Sequence, residues 1–146
     1  MTFTSASFGE LSAQTVYRIC QLRMAVFVVE QACVYQDLDD RDLEPATRHL
    51  SYVVDDGVVA AYLRVLAEPT GEARIGRVCV ALAYRSSGLA GELMRRAHEQ
   101  AGDRVVELHA QAYLRGWYER LGYGVIGAEF LDDGIPHVPM RRTPGQ

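Results

Sequence analysis

Lysine is absent from this 146-residue chain, and all fifteen basic residues are arginine. A guanidinium keeps its proton and is no amine nucleophile, so Schiff-base chemistry on a side-chain amine is excluded. Nor is there any lysine to be acetylated. Cysteine is scarce as well: Cys20, Cys33 and Cys79 are an odd number with no C-x-x-C spacing. That argues against a zinc site on paired cysteines and against a disulfide framework, and no metal is expected. The first fifteen residues lack both a basic region and an apolar stretch, and no run approaches the length of a membrane span. A soluble, cytoplasmic protein is the expectation. Basic charge is in deficit, with nineteen acidic residues giving a net charge of −4 and a pI near 5.5. Neither nucleic acid nor an anionic membrane is therefore an expected partner. With no linker, repeat or low-complexity segment, residues 1–146 read as one domain.

Hydrophobic residues make up 49% and charged residues 23%, which is ordinary for a globular protein. Ser12 is a plausible N-cap for a helix from Ala13 to about Glu30, with Val16, Ile19, Cys20, Arg23, Val26 and Phe27 along one mostly apolar face. The next stretch, Gln31 to Thr47, is rich in Asp and Glu. It reads as a loop that faces solvent or a polar ligand. Leu50–Val54 and Val58–Val65 flank Asp55-Asp56-Gly57 as a hairpin, and Ala73–Ala83 reads as a further strand. A helix over Leu89–Ala101, a strand over Val105–Ala110 and a helix over Ala112–Leu121 follow. Strand segments are expected at 125–126, 129–131 and 136–140. The order implies a mixed, mostly antiparallel α/β sheet flanked by helices.

The turn Arg85-Ser86-Ser87-Gly88-Leu89-Ala90-Gly91 joins a strand to a helix through small residues. Such a turn presents free backbone N–H groups in one direction, the helix dipole adds partial positive charge, and small side chains admit a phosphate. Arg85 adds a permanent charge. An ordinary strand–helix turn has the same spacing. It is no Walker A loop, because no Gly-Lys-Ser/Thr follows, and it is not G-x-G-x-x-G.

The segment Arg85-x-x-Gly88-x-Ala90 resembles the Arg/Gln-x-x-Gly-x-Gly/Ala pyrophosphate loop of the GNAT superfamily of acetyl-CoA-dependent N-acetyltransferases. Five further segments resemble its ElaA-type branch: Leu22-Arg23-x-x-Val26-Phe27-Val28-Val29-Glu30-Gln31, Tyr35-x-Asp37-Leu38-Asp39, Thr47-Arg48-His49-Leu50, Ala73-Arg74-Ile75-Gly76-Arg77-Val78 and Asp132-Asp133-Gly134-Ile135-Pro136-His137. Together they run from about Leu22 to Met140.

The resemblance implies the GNAT fold, acetyl-CoA as co-substrate, and direct attack of a neutral amine on the thioester. It places Val78, Cys79 and Val80 beside the pantetheine, and the N–H groups of Arg85, Ser86, Ser87, Gly88, Leu89, Ala90 and Gly91 on the pyrophosphate. A backbone N–H near Val80 would face the oxyanion. Tyr118, in a Tyr-x-x-x-Gly-aromatic motif, matches the family's general acid and also contacts the cofactor. Gln111 stands where many members have Asn, and Ser86 and Ala90 where many have Gly, which implies a stiffer loop.

Some family enzymes carry a base on strand 4, but Arg74 to Tyr84 contains no carboxylate. Glu30, Glu107, Glu129, Asp133 and His137 are the candidate bases, with His137 and Glu107 set beside Tyr118 as the catalytic residues. Cys79 reads as a core thiol rather than a nucleophile. The expected acceptor is a small-molecule or peptide amine, and a homodimer is possible. The rival expectation is an acyl-CoA-binding sensor of the same fold without turnover.

Overall fold

The Ser12 hydroxyl accepts the Thr15 N–H at 3.1 Å and so caps α1 (Ala13–Arg23). The helix then widens into a π-helical segment, Met24–Glu30, with the Gln31 and Cys33 N–H groups reaching back to the Val26 and Val28 carbonyls at 3.2 Å. The expected helix to Glu30 keeps its extent and changes in kind. In the computed structural model, which describes residues 1–145, the strands form one sheet.

Its strands are β1 (Thr2–Ala6), β2 (Arg48–Val53), β3 (Val59–Ala67), β4 (Ala73–Val80), β5 (Val106–Gln111), β6 (Gly124–Val125), β7 (Phe130–Asp132) and β8 (Ile135–Arg142). They lie in the order β1-β2-β3-β4-β5-β8-β6, and β7 also pairs with β8. Only β4 and β5 run parallel; the other pairings are antiparallel, as the mixed sheet expected from the sequence requires. Gly57, at φ +86°, closes the β2–β3 hairpin, and Asp133-Gly134, both left-handed, closes β7–β8. Three boundaries differ from the sequence reading. β1 was not anticipated. β4 stops at Val80, because Leu82–Tyr84 curls into a 3-10 turn. The helix at 112–121 divides into a 3-10 turn, Ala112–Leu114, and α3 (Arg115–Arg120).

The two faces of the sheet are covered differently. α2 (Leu89–Ala101) buries Leu93, Met94, Ala97 and Ala101 against Leu50, Ala61, Leu63 and Val65, forming the main core. α1 and its π-helical extension bury Ile19, Leu22 and Val26 against Val59, Tyr62 and Cys79. Removing a fully buried leucine side chain from such packing costs about 2–5 kcal/mol.

Candidate active site

β4 and β5 pair only at Ala73–Val106 and Arg74–Glu107, then part to open a cleft of about 510 Å³. A bulge prepares the split. Tyr62 pairs with Cys79 but Arg64 with Gly76, so β4 carries one extra residue, and Arg77 adopts φ +55°. Side-chain alternation therefore reverses: Ala73 and Ile75 enter the main core, whereas beyond the bulge Cys79 enters the α1 cluster. The Ala81 N–H donates to the Ala60 carbonyl at 2.8 Å, which makes Ala61–Val80 the non-hydrogen-bonded pair. The Val80 N–H and carbonyl thus point away from β3 into the split.

At the wide end of the split lies the loop before α2. Ser86 and Gly88 are left-handed, at φ +63° and +82°, and no side chain caps the helix. The Ser87 hydroxyl turns back to the Tyr84 carbonyl. Arg85 and Ala90 line the cleft, while Ser86, Ser87, Gly88, Leu89 and Gly91 form the loop and first helical turn behind them. The Arg85 charge is not a lone anion partner. Its two terminal nitrogens hold both Glu30 carboxylate oxygens at 2.5 Å, and its Nε donates to the Val80 carbonyl at 3.1 Å.

Tyr118 on α3 lies 6% exposed, edge-on to Trp117 and Tyr123, and lines the cleft. Burial pushes its pKa up to about 12, so the hydroxyl keeps its proton at neutral pH. Gln111, at the end of β5, donates to the Gln31 side chain across the cleft at 3.2 Å. Val78, Cys79 and Val80 line the same wall. The Cys79 thiol is buried and its pKa is raised by desolvation, which suits a core thiol and not a nucleophile.

The five candidate bases separate on geometry. Glu129 is exposed and does not reach the cleft. Glu107 is also outside the lining: it accepts from Arg141 at 2.8 and 2.9 Å and has Arg74 at 3.5 Å. Glu30 lines the cleft, but its hydrogen bonds from Arg85 hold its pKa down, which weakens it as a base. Asp133 and His137 line the cleft. The His137 Nδ1 lies 2.7 Å from the Ile135 carbonyl. A carbonyl only accepts, so Nδ1 carries the hydrogen and neutral His137 presents the lone pair of Nε2.

The acidic stretch after the π-helical segment is a loop with many exposed positions, but Asp37 and Asp42 turn inward onto arginines instead of into solvent. Arg23, 1% exposed, donates to Asp37 at 2.9 Å and Asp42 at 2.7 Å. Arg64 holds Asp39 at 2.6 and 2.8 Å and Asp42 at 3.1 Å, while Arg77 faces Asp37 at 3.0 Å. The Tyr35 hydroxyl donates to Asp37 at 2.5 Å. His49 completes the cluster, its Nε2–H donating to the Asp42 carbonyl at 3.0 Å while Nδ1 accepts the Tyr62 hydroxyl at 2.7 Å. Tyr35, Arg64 and Arg77 carry this network to the cleft wall. Sequence reasoning assigned these residues no such role, although Arg23 on an apolar helix stripe and Arg64 inside an apolar strand were visible signals.

Comparison with known proteins agrees with this architecture. A family model described as an acetyltransferase (GNAT) domain matches residues 10–144. The UPF0039 protein of Mycobacterium tuberculosis is 45% identical over 139 residues, covering 93% of this chain and 88% of the relative. Protein ElaA of Escherichia coli K12 is 40% identical over 140 residues, covering 92% and 91%. Among solved structures, an acyl-CoA N-acyltransferase from Pseudomonas aeruginosa superposes with a TM-score of 0.91 at 41% identity, covering 98% of this chain and 100% of that one. The crystal structure of E. coli ElaA gives 0.91 at 36% identity, covering 97% and 99%. The chain belongs to the GNAT family of acetyltransferases, in the branch that contains ElaA.

Proposed function

We propose that this protein moves an acetyl group from acetyl-CoA to a primary amine by direct attack on the thioester. The β4–β5 split carries the reading, because it leads to the uncapped end of α2 and holds the Tyr118 and His137 side chains in one cleft. Acetyl-CoA would bring an activated thioester and an anionic pyrophosphate. The residues suit both ends. The backbone of Val78, Cys79 and Val80 is left without a β5 partner and offers an added strand's hydrogen bonds to the pantetheine. The N–H groups from Arg85 to Gly91 suit the pyrophosphate, and a Cβ built on Gly88 would meet nothing within 4 Å, so the backbone is open to approach. Gln111 flanks the thioester end.

In this reading His137 Nε2 takes the proton of the bound ammonium, and the neutral amine attacks. The Val80 N–H stabilises charge that grows on the acyl oxygen. As the C–S bond breaks, Tyr118 donates to the departing sulfur. Its pKa near 12 exceeds a thiol's usual value of about 8.5, so its contribution is chiefly an O–H···S hydrogen bond. Amine and thioester become amide and thiol: the ammonium's first proton leaves through His137 to solvent, and the second, lost by nitrogen as the tetrahedral intermediate collapses, matches the one gained by sulfur. Residues 1–146 act as one domain, and the acceptor is a small-molecule or peptide amine.

The absence of a β4 carboxylate favours one second reading, an acyl-CoA sensor without turnover. Thiol release from acetyl-CoA over a panel of amines, beside thermal stabilisation by acetyl-CoA, separates the two. Release with at least one amine is expected. Stabilisation without release would make the protein a sensor, and neither response would overturn both readings. Tyr118→Phe is expected to lower turnover about 10–100-fold, the loss of one hydrogen bond to a charging sulfur, with acetyl-CoA affinity nearly unchanged.

A further inference from the structure

The acceptor half of the cleft has two electrical poles. At one, three arginines line the wall: Arg64, Arg74 and Arg77. Arg64 and Arg77 are committed to Asp37, Asp39 and Asp42. Arg74 is not. Among the described residues it makes no hydrogen bond, and its nearest carboxylates are Glu107 at 3.5 Å and Glu68 at 3.9 Å. Both are engaged elsewhere, Glu107 by Arg141 at 2.8 Å and Glu68 by Arg41 at 2.5 Å. The Arg74 side chain is nevertheless three-quarters buried, at 25% exposure. At the other pole Asp132 and Asp133 line the cleft beside His137 and form no ion pair among the described residues.

We infer that the acceptor is an amine carrying a carboxylate at its far end, and that Arg74 binds that carboxylate. The inference rests on the acetyltransferase reading above. A guanidinium with unused donors in a partly desolvated wall matches the planar, bidentate geometry of a carboxylate. The amine end, cationic before it reacts, meets Asp132, Asp133 and the His137 base. Separation selects the length. Arg74 pairs with Glu107 and His137 with Gln111, four residues apart along β5 and on its opposite sides, so the two positions stand about 13 Å apart along the strands at ~3.3 Å per residue and about 10 Å across them. Side chains reaching inward from both ends leave room for several bonds between nitrogen and carboxylate. An ω-amino acid, or the side-chain amine of free lysine, fits this span better than an α-amino group.

The test compares 6-aminohexanoate with 6-aminohexanamide, which share the amine and differ in the distal charge. The wild type is expected to favour the acid by about 10–100-fold in kcat/KM. In Arg74→Gln that ratio should fall to near one, mainly through a higher KM for the acid, and Arg74→Lys should keep part of it. Arg74→Glu should turn the preference toward 1,6-diaminohexane, a reversal that a merely structural arginine would not produce. Transfer to both amines with a wild-type ratio near one would overturn the inference and leave the acetyltransferase reading standing. If neither amine is acetylated, calorimetric titration of 6-aminohexanoate in the presence of coenzyme A decides. Binding that is lost in Arg74→Gln supports the assignment, and no binding to the wild type overturns it.

Discussion

The two faces of the central sheet are held by different physics. Behind it, α2 seals Leu93, Met94 and Ala97 against β2, β3 and β4 with no polar atom among them. In front, α1 supplies a smaller apolar cluster, and the rest of the face is closed by Arg23, Arg64 and Arg77 against Asp37, Asp39 and Asp42. The reason lies in the loop that must be docked there. Residues 31–47 hold few large apolar side chains facing inward, so directed ion pairs fix the loop where area burial cannot. An apolar face yields gradually, because each lost methylene removes its own contacts. A buried ionic face yields abruptly, since removing one partner strands another in low dielectric.

The sharpest contrast is between Arg23→Leu and Leu93→Ala. Losing Arg23 leaves Asp37 and Asp42 buried without their main partner, with an expected loss of about 3–5 kcal/mol. Leu93→Ala is expected to cost about 2–5 kcal/mol according to how far the core collapses. Urea unfolding at pH 7 measures both. Activity tells them apart further, because Tyr35, Arg64 and Arg77 join the ionic network to the cleft wall while Leu93 does not line it. If Arg23→Leu proves as stable as the wild type, the front face is not held by these pairs.

The apolar face was the legible one. Leu93, Met94 and Ala97 recur at helical spacing, and Asp55-Asp56-Gly57 announces its hairpin. The strand Thr2–Ala6 escaped because its small hydroxyl residues show little alternation. The end of β4 escaped because the apolar run continues to Ala83 while the backbone turns at Leu82. A seven-residue π-helical segment differs too little from α periodicity to be read from side chains. The ionic network was illegible for a deeper reason. Arg23 meets Asp37 and Asp42, and Arg77 meets Asp37 some forty positions earlier, so the burial of those acids depends on partners remote in sequence. In the cleft, Tyr118 and the loop at Arg85 could be picked out from the family resemblance. Ordering the candidate bases needed the Arg85–Glu30 and Arg141–Glu107 pairs and the orientation of the His137 ring.

Acid should uncover the same asymmetry with a smaller effect. The hydrogen bond and charge of Arg64 hold Asp39 down at about 2. Burial works against ionised Asp42, but Arg23 and Arg64 together leave its pKa below the ordinary value. A folded-state pKa below the unfolded one, about 3.9 for Asp, stabilises the fold above that value. This contribution fades as pH falls toward the folded pKa, so the urea midpoint of the wild type should drop between pH 4 and 2. Leu93→Ala should track it in parallel. Arg23→Leu should not: its Asp42, left with Arg64 alone, takes up a proton more readily, and its deficit from the wild type narrows in acid. Parallel curves for all three proteins would deny the ionic face its part.

The smallest effect is the control for charge itself. Arg95, on the solvent side of α2, donates to Glu92 at 3.0 Å and pairs with Glu99 one turn on. It offers the same guanidinium–carboxylate chemistry as Arg23, also with two partners, yet all three side chains stand in water. There the Coulomb attraction is screened and each partner is rehydrated when the pair is broken. Arg95→Gln is therefore expected to leave the urea midpoint within measurement error, at low salt and at high salt alike. A shift comparable to that of Arg23→Leu would mean that ion pairing as such, and not its burial between α1 and the acidic loop, sets the stability of this protein.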